Sequence, residues 1–309
     1  MLESVLITAS QTAVLFLLMS FGVLSRKFRI FDAETIKRLT EFLICFITPC
    51  LIITSFQQPY DGHKVAGLAW SFAGAVFATT VAIILANVFI SDSDPKHKRS
   101  LRWATVFSNC GYMGIPLEEA IFGAEGVFYG IAAIAVFNIF AWTYGVLMMG
   151  GNLSSKSAVK GVLNSANISV AVAIPLFFMP FRLPYVLSHT LELVANLNTP
   201  VAMIIMGYYL ATAKYAPAFR CKATYLMLFF RHFAIPLILL GAFVFCPFID
   251  KQARLASIVP ASAPIGVLLT VFAVKYEGDA EFSTALVAVS TIFSILTIPP
   301  IIALAQFLI

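Results

Sequence analysis

Ser108-Asn-Cys-Gly-Tyr-Met-Gly-Ile-Pro116 sits in the middle of an apolar stretch long enough to cross a bilayer, yet it makes a poor helix. Asn109, Gly111, Gly114 and Pro116 crowd into it. Proline lacks the N–H of the helical ladder, and glycine costs about 1 kcal/mol per helical position relative to alanine. In hydrocarbon a backbone N–H or C=O without a partner costs several kcal/mol. An interruption at this depth therefore implies that the freed backbone lines a cavity or meets a ligand. Discontinuous helices near the midplane are how many secondary transporters build their substrate and ion sites.

Outward from that stretch, the composition is that of a membrane protein. Of 309 residues, 60% are hydrophobic and 11% charged, against roughly a quarter charged in soluble domains. The net charge of +5 is dispersed between apolar spans without a long basic run, so nucleic acid is not an expected partner. The first apolar run lacks a basic lead and ends at Arg26-Lys27, as a first transmembrane helix does and a cleaved signal does not. Cys45, Cys50, Cys110, Cys221 and Cys246 form no Cys-x-x-Cys pair. They read as small buried hydrophobes. With no His-Glu-x-x-His, Walker loop or nucleophile elbow, no metal, cofactor, ATP-driven step or enzymatic activity is expected.

Spans of ~20 apolar residues fall at about 5–25, 36–56, 66–90, 100–121, 126–149, 162–181, 189–212, 223–246, 252–275 and 282–306. The reading is an all-α integral membrane protein of ten helices. Fifteen of the 20 lysines and arginines lie in the loops after spans 1, 3, 5, 7 and 9. The positive-inside rule makes those loops cytoplasmic and sets both termini outside, in the plasma (inner) membrane. The chain also repeats. A shift of 152 brings Arg102 to Arg254 and Glu125-Gly126 to Glu277-Gly278, and a shift of 151 brings Thr48-Pro49 to Thr199-Pro200. Residues 1–152 and 153–309 are thus expected to be two five-helix repeats. Five being odd, the second is inverted, with the site at the pseudo-two-fold axis.

Within this plan Asn109 is the first candidate for substrate contact, because its amide both donates and accepts; the alternative is a helix–helix hydrogen bond. Val259-Pro-Ala-Ser-Ala-Pro-Ile-Gly266 is the counterpart in span 9, with Ser262, Pro264 and Gly266 at its break. Crossed broken spans aim half-helix N-termini into one cavity. Their positive ends suit a carboxylate, so a small organic anion is the expected substrate. Asn138 in span 5 faces the same level, as a ligand or a structural hydrogen bond. Arg231-His232 in span 8 is read as an ion-coupling pair, or else Arg231 snorkels to the cytoplasmic interface. Glu118 and Glu119 are expected to face solvent near the outer surface, and Thr48-Pro49 and Thr199-Pro200 to kink spans 2 and 7.

Asn109-Cys-Gly-Tyr-Met-Gly-Ile-Pro-Leu117, continuing to Ala120-Ile-Phe-Gly123, resembles the fourth-helix motif of the auxin efflux carrier family, which includes PIN-type exporters and bacterial malonate and malate carriers. Thr48-Pro49, Asn196-x-x-Thr199-Pro200 with Gly207, Arg231-x-x-x-x-Pro236, and Pro264 through Phe272-Ala273 to Tyr276 resemble its helices 2, 7, 8 and 9. The resemblance covers nearly the whole chain. It implies a scaffold of helices 1, 2, 6 and 7, able to pair with a second copy. It also implies a transport domain of helices 3–5 and 8–10, moving as an elevator, with helices 4 and 9 crossing at prolines. By the motif, Asn109, Gly111 and Tyr112 approach the substrate and Pro116 marks the first crossing. The chain departs from the pattern at Ile265, where the family often has a polar residue, and at Asn164-Ser-Ala-Asn167, where Asn-Pro is usual. Only Gly150 to Gly161 joins the halves, so the long loop of plant exporters is absent.

The function expected is secondary transport of small carboxylates. A sodium-coupled symporter of the bile-acid type is the alternative, which the absence of Asp and Glu from spans 4 and 9 before their breaks disfavours. A membrane-embedded enzyme would need an acid or base beside a nucleophile, and the apolar spans offer no such pair.

Overall fold

The computed structural model describes residues 2–152, 159, 163–179 and 182–309. Its first half runs α1 (Leu2–Lys27), α2 (Ala33–Phe42), α3 (Thr48–Ser55), α4 (Gly62–Phe89), α5 (Pro95–Val106), α6 (Ile115–Phe140) and α7 (Val146–Met148). The second runs α8 (Ser165–Phe178), α9 (Tyr185–Ala195), α10 (Asn198–Thr212), α11 (Ala216–Arg220), α12 (Lys222–Phe229), α13 (Ile235–Val244), α14 (Lys251–Ser262), α15 (Leu268–Lys275) and α16 (Ala280–Leu308). Among the described residues there is no strand, only an isolated antiparallel bridge between Ser108 and Ile265.

Six of the described helical stretches are long and apolar enough to cross a membrane: Ala9–Lys27, Gly62–Phe89, Cys110–Met148, Tyr185–Thr212, Lys222–Val244 and Ala280–Leu308. Ser165–Phe178 is apolar but shorter. Cys110–Met148 spans 39 residues, about 58 Å if straight, against ~30 Å of hydrocarbon. Gly123 resolves the excess: at φ 64°, ψ −156° it leaves the helix and reverses the chain, a conformation that a Cβ opposes. Large side chains such as Phe21, Phe89, Phe245 and Leu296 are exposed, as lipid-facing residues are.

Wide π turns precede three of the helices that begin with proline. Leu43–Ile47 leads to Pro49, Cys110–Gly114 to Pro116 and Phe230–Ala234 to Pro236. In each, the residue before the proline (Thr48, Ile115, Ile235) donates to the carbonyl five back (Leu43, Cys110, Phe230). Widening the turn moves the carbonyl that the pyrrolidine ring would strike. The helix then continues through the proline with only a local change of direction.

Six helices that start in loops are capped by an acid or asparagine, whereas α9, α11 and α12 have no side-chain cap. Asp32, Asp61, Asp94, Asn164, Asp250 and Asp279 accept from the backbone N–H of Thr35, His63, Lys96, Asn167, Ala253 and Phe282. Two buried apolar clusters hold the helices together. The larger runs through α3–α6, α8 and α12–α16. The smaller joins Leu15 and Met19 of α1, Ile36 of α2 and Met203 and Met206 of α10 to Met113, Leu117, Val259 and Ile298. Within the smaller cluster, α1 and α10 meet backbone to backbone. Gly22 lies against the Ile204 carbonyl and Gly207 against that of Met19, where no side chain fits.

Candidate functional site

Two interruptions meet inside the molecule. The first follows α5: Phe107 is extended (φ −105°, ψ 111°), and the helix restarts at Cys110. The second follows α14: Ala263 adopts φ −63°, ψ 150°, the conformation that a following proline, here Pro264, imposes. The freed backbones pair with each other. Asn109 N–H donates to the Pro264 carbonyl at 2.6 Å, and Gly266 N–H to that of Phe107 at 3.0 Å. Ile265 N–H donates to Ser290 Oγ at 3.1 Å, and the Asn109 carbonyl accepts from Met113 and Gly114.

Four half-helix ends converge at this junction. The two C-terminal ends share one cation. The Arg231 guanidinium donates to the carbonyls of Thr105 (3.3 Å) and Val106 (3.2 Å) at the end of α5 and to that of Ala261 at the end of α14. Two helix C-termini present about half a negative charge each, and a single positive charge 2% exposed offsets both. His232, fully buried, bridges Ser290 Oγ at 2.8 Å and Thr297 Oγ1 at 3.1 Å. Ser290 thereby ties it to Ile265. The N-terminal ends differ. Neither the turn that begins at Cys110 nor α15 has a side-chain cap.

Cavities flank the junction. One is lined by Ser71, Ser108, Tyr129, Gly130, Arg231 and Ser257 among others. Another lies between α10 and α15–α16, with Met206, Tyr209, Val267, Thr270 and Thr291 on its walls.

The model of the family described as membrane transport protein matches residues 8–158 and again residues 151–302. The chain belongs to that family. The match agrees with the auxin-efflux-carrier resemblance of the fourth-helix motif. A relative is an uncharacterized transporter of Methanocaldococcus jannaschii, 22% identical over 300 residues, which cover 92% of this chain and 94% of the relative. Together with its long apolar helices, membership in the membrane transport protein family makes this a multi-pass membrane protein and supports a role in transport.

The structure brings Asn109, Pro264 and Gly266 together, and with them Phe107, Ser108 and Ile265. The Asn109 amide nitrogen also lies 3.6 Å from Met206 Sδ of α10. A Cβ at Gly111 would meet open space, and Tyr112 packs on the smaller cluster. Ser262 turns its hydroxyl back onto the Ile258 carbonyl at 2.8 Å. Asn138 stands apart, donating to Asn167 of α8 at 3.0 Å.

Pro116 opens the helix after the wide turn; the backbone bridge pairs Ser108 with Ile265, and Gly114 lies against Pro260. Two expectations are corrected. Arg231 does not snorkel, since its partners are carbonyls in the interior. Glu118 does not face solvent but is 1% exposed, while Glu119 accepts from Thr199 Oγ1 at 2.7 Å. The reversal at Gly123 folds residues 124–140 back over Glu118. Gly126 and Gly130, one turn apart, were the signal in the sequence that something must pack closely there.

Proposed function

We propose that this transporter is a secondary carrier of small organic anions, chiefly carboxylates, with its site at the junction of the interrupted helices. The observation that carries this reading is that two uncapped helix starts lie beside the paired breaks. The starts at Cys110 and Leu268 have no side-chain cap, as is also true of the loop-borne starts of α9, α11 and α12, but these two adjoin the backbone pairing of the junction. Uncapped N–H groups at a positive helix end form an anion site, as caps and phosphates elsewhere demonstrate. Asn109, Gly111, Tyr112 and Gly266 would contact the substrate, and Pro264 would hold the second break open. Ser262, Asn138 and Pro116 shape the surroundings, and Arg231 and His232 fix the framework.

The architecture proposed is ten spans in two inverted halves, 1–152 and 153–309. Arg102 and Arg254 support it. Each lies in the first part of an interrupted span and donates to carbonyls at the end of the preceding helix: Arg102 to Asn87 and Ile90 at 3.0 Å, Arg254 to Phe243 at 3.2 Å. Transport would be of the elevator type. The part holding the junction would slide against α1–α3 and α8–α10, with both termini outside the plasma membrane. For a monoanion, leaving a cell that is negative inside releases about 2.3 kcal/mol per 100 mV, so export needs no coupling and uptake does.

Thermal shift of the purified protein against mono- and dicarboxylates and aromatic acids, with and without sodium, tests the ligand class. A ligand at a hundredfold excess over its Kd stabilises by about 2.7 kcal/mol. One carboxylate class should act without sodium; a shift seen only with sodium would favour the bile-acid-type symporter instead. In proteoliposomes, Asn109→Ala should lose binding and uptake while remaining folded. Unchanged affinity and uptake would remove the junction as the site.

A further inference from the structure

Among the described residues, Glu118 is the buried acid that the junction does not use. It is 1% exposed, and neither carboxyl oxygen has a hydrogen-bond partner. It is held against Gly130, so close that any side chain there would overlap the carboxyl, while Gly126 packs on the Glu118 backbone. Gly130 in turn lines the cavity that Arg231, Ser108 and Tyr129 share. One glycine therefore separates the carboxyl from space open to water, immediately behind the junction.

An ionised carboxylate without donors in such a place is far costlier than a neutral acid with an unmet O–H. The groups around it do not neutralise it. Arg231 is committed to three carbonyls and Arg254 to Phe243. Lys64 pairs with Glu125 at 3.7 Å, and Glu119 is turned to Thr199. Cys110 is near enough to feel both Glu118 and Arg231, but a thiol supplies no counter-charge. Tyr129, also on α6, lines the cavity. A metal cation would need several oxygen ligands, and among the described residues no group of His, Cys, Asp and Glu is arranged to hold a metal ion. A proton needs no ligand shell.

We infer that Glu118 is the proton-carrying group of this carrier, a reading that rests on the transport function proposed above. The carboxylate takes one proton from water on the side the cavity faces and becomes a neutral acid. After the moving part has crossed, it returns that proton to water on the other side. A monoanion and a proton moving together carry no net charge, which removes the membrane-potential opposition to uptake.

Infrared spectroscopy of the protein in lipid at neutral pH tests this. The expected result is a carbonyl stretch of a carboxylic acid without hydrogen bonds, absent in Glu118→Gln and retained in Glu119→Gln. In proteoliposomes, an imposed inward proton gradient should accelerate anion uptake by the unaltered protein, and Glu118→Gln should lose that acceleration. A missing band, or a band with uptake indifferent to the proton gradient, overturns the inference. So does a sodium-dependent rise in melting temperature that Glu118→Gln abolishes, which would assign the site to sodium. If no anion is carried under any gradient, the transport reading falls and the coupling with it, while the band still reports the state of the carboxyl.

Discussion

Arg231 joins two helices that are far apart in sequence, and it does so through carbonyls rather than acids. The fork geometry of guanidinium is what allows this, since it donates along several directions from one rigid plane. Arg231→Leu would leave the ends of α5 and α14 without a donor. We expect a loss of about 3 kcal/mol or more, by the usual worth of hydrogen bonds to a charged group, read as a large fall in melting temperature in detergent. Arg231→Lys should recover only part of it, because an ammonium cannot reach both ends. Full recovery by lysine would show that charge alone matters. The sequence marked Arg231 and Asn109 for the same reason: polar groups stand out in an apolar run. It could not show what Arg231 touches, because its partners Thr105, Val106 and Ala261 come from two other spans. Glu118 was misread because a glutamate two residues past a proline resembles a helix end, and the chain reversal that buries it lies further on at Gly123.

At the scale of elements, four of the prolines divide into two kinds. Pro49, Pro116 and Pro236 sit in the first turn of helices that follow wide turns. Pro264 follows the extended Ala263 and lies inside the junction, where its carbonyl accepts from Asn109. Pro116→Ala should therefore change stability by less than about 1 kcal/mol, as alanine is also at home in a first turn. Pro264→Ala removes the constraint that keeps Ala263 extended and lets α14 run on past Ser262. The expected outcome is weaker substrate binding, together with a lower melting temperature. Equal effects of the two substitutions would mean that both prolines serve the same purpose. The sequence made it clear that span 4 breaks near Asn109 and span 9 near Pro264. It did not fix the register, because a proline signals either a break or a helix start, and only the wide turn before Pro116 decides between them.

At the scale of the whole molecule, the proposed movement has to break particular contacts. The proposed repeat rests in the sequence on Arg102 and Arg254, which stand 152 apart, and their parallel bonds support it. The surface proposed to slide was not legible, since contacts such as Glu119 with Thr199 join residues without any shared pattern. Thr199 Oγ1 of α10 donates to Glu119 of α6 at 2.7 Å, and Asn109 meets Met206 at 3.6 Å. Translation of the junction along α10 has to separate both pairs, whereas a fixed pore would keep them. Cysteines at positions 119 and 199, in a background without Cys45, Cys50, Cys110, Cys221 and Cys246, can be bridged by a short, reducible, bifunctional thiol reagent. An elevator held in this way should stop carrying anions and resume after reduction. Either cysteine alone, treated identically, should keep working, because a single modified thiol at this depth ties nothing to the scaffold. If the bridged protein transports at the rate of the unbridged one, α6 and α10 do not slide past each other, and anions pass the junction by a smaller motion confined to the four half-helix ends.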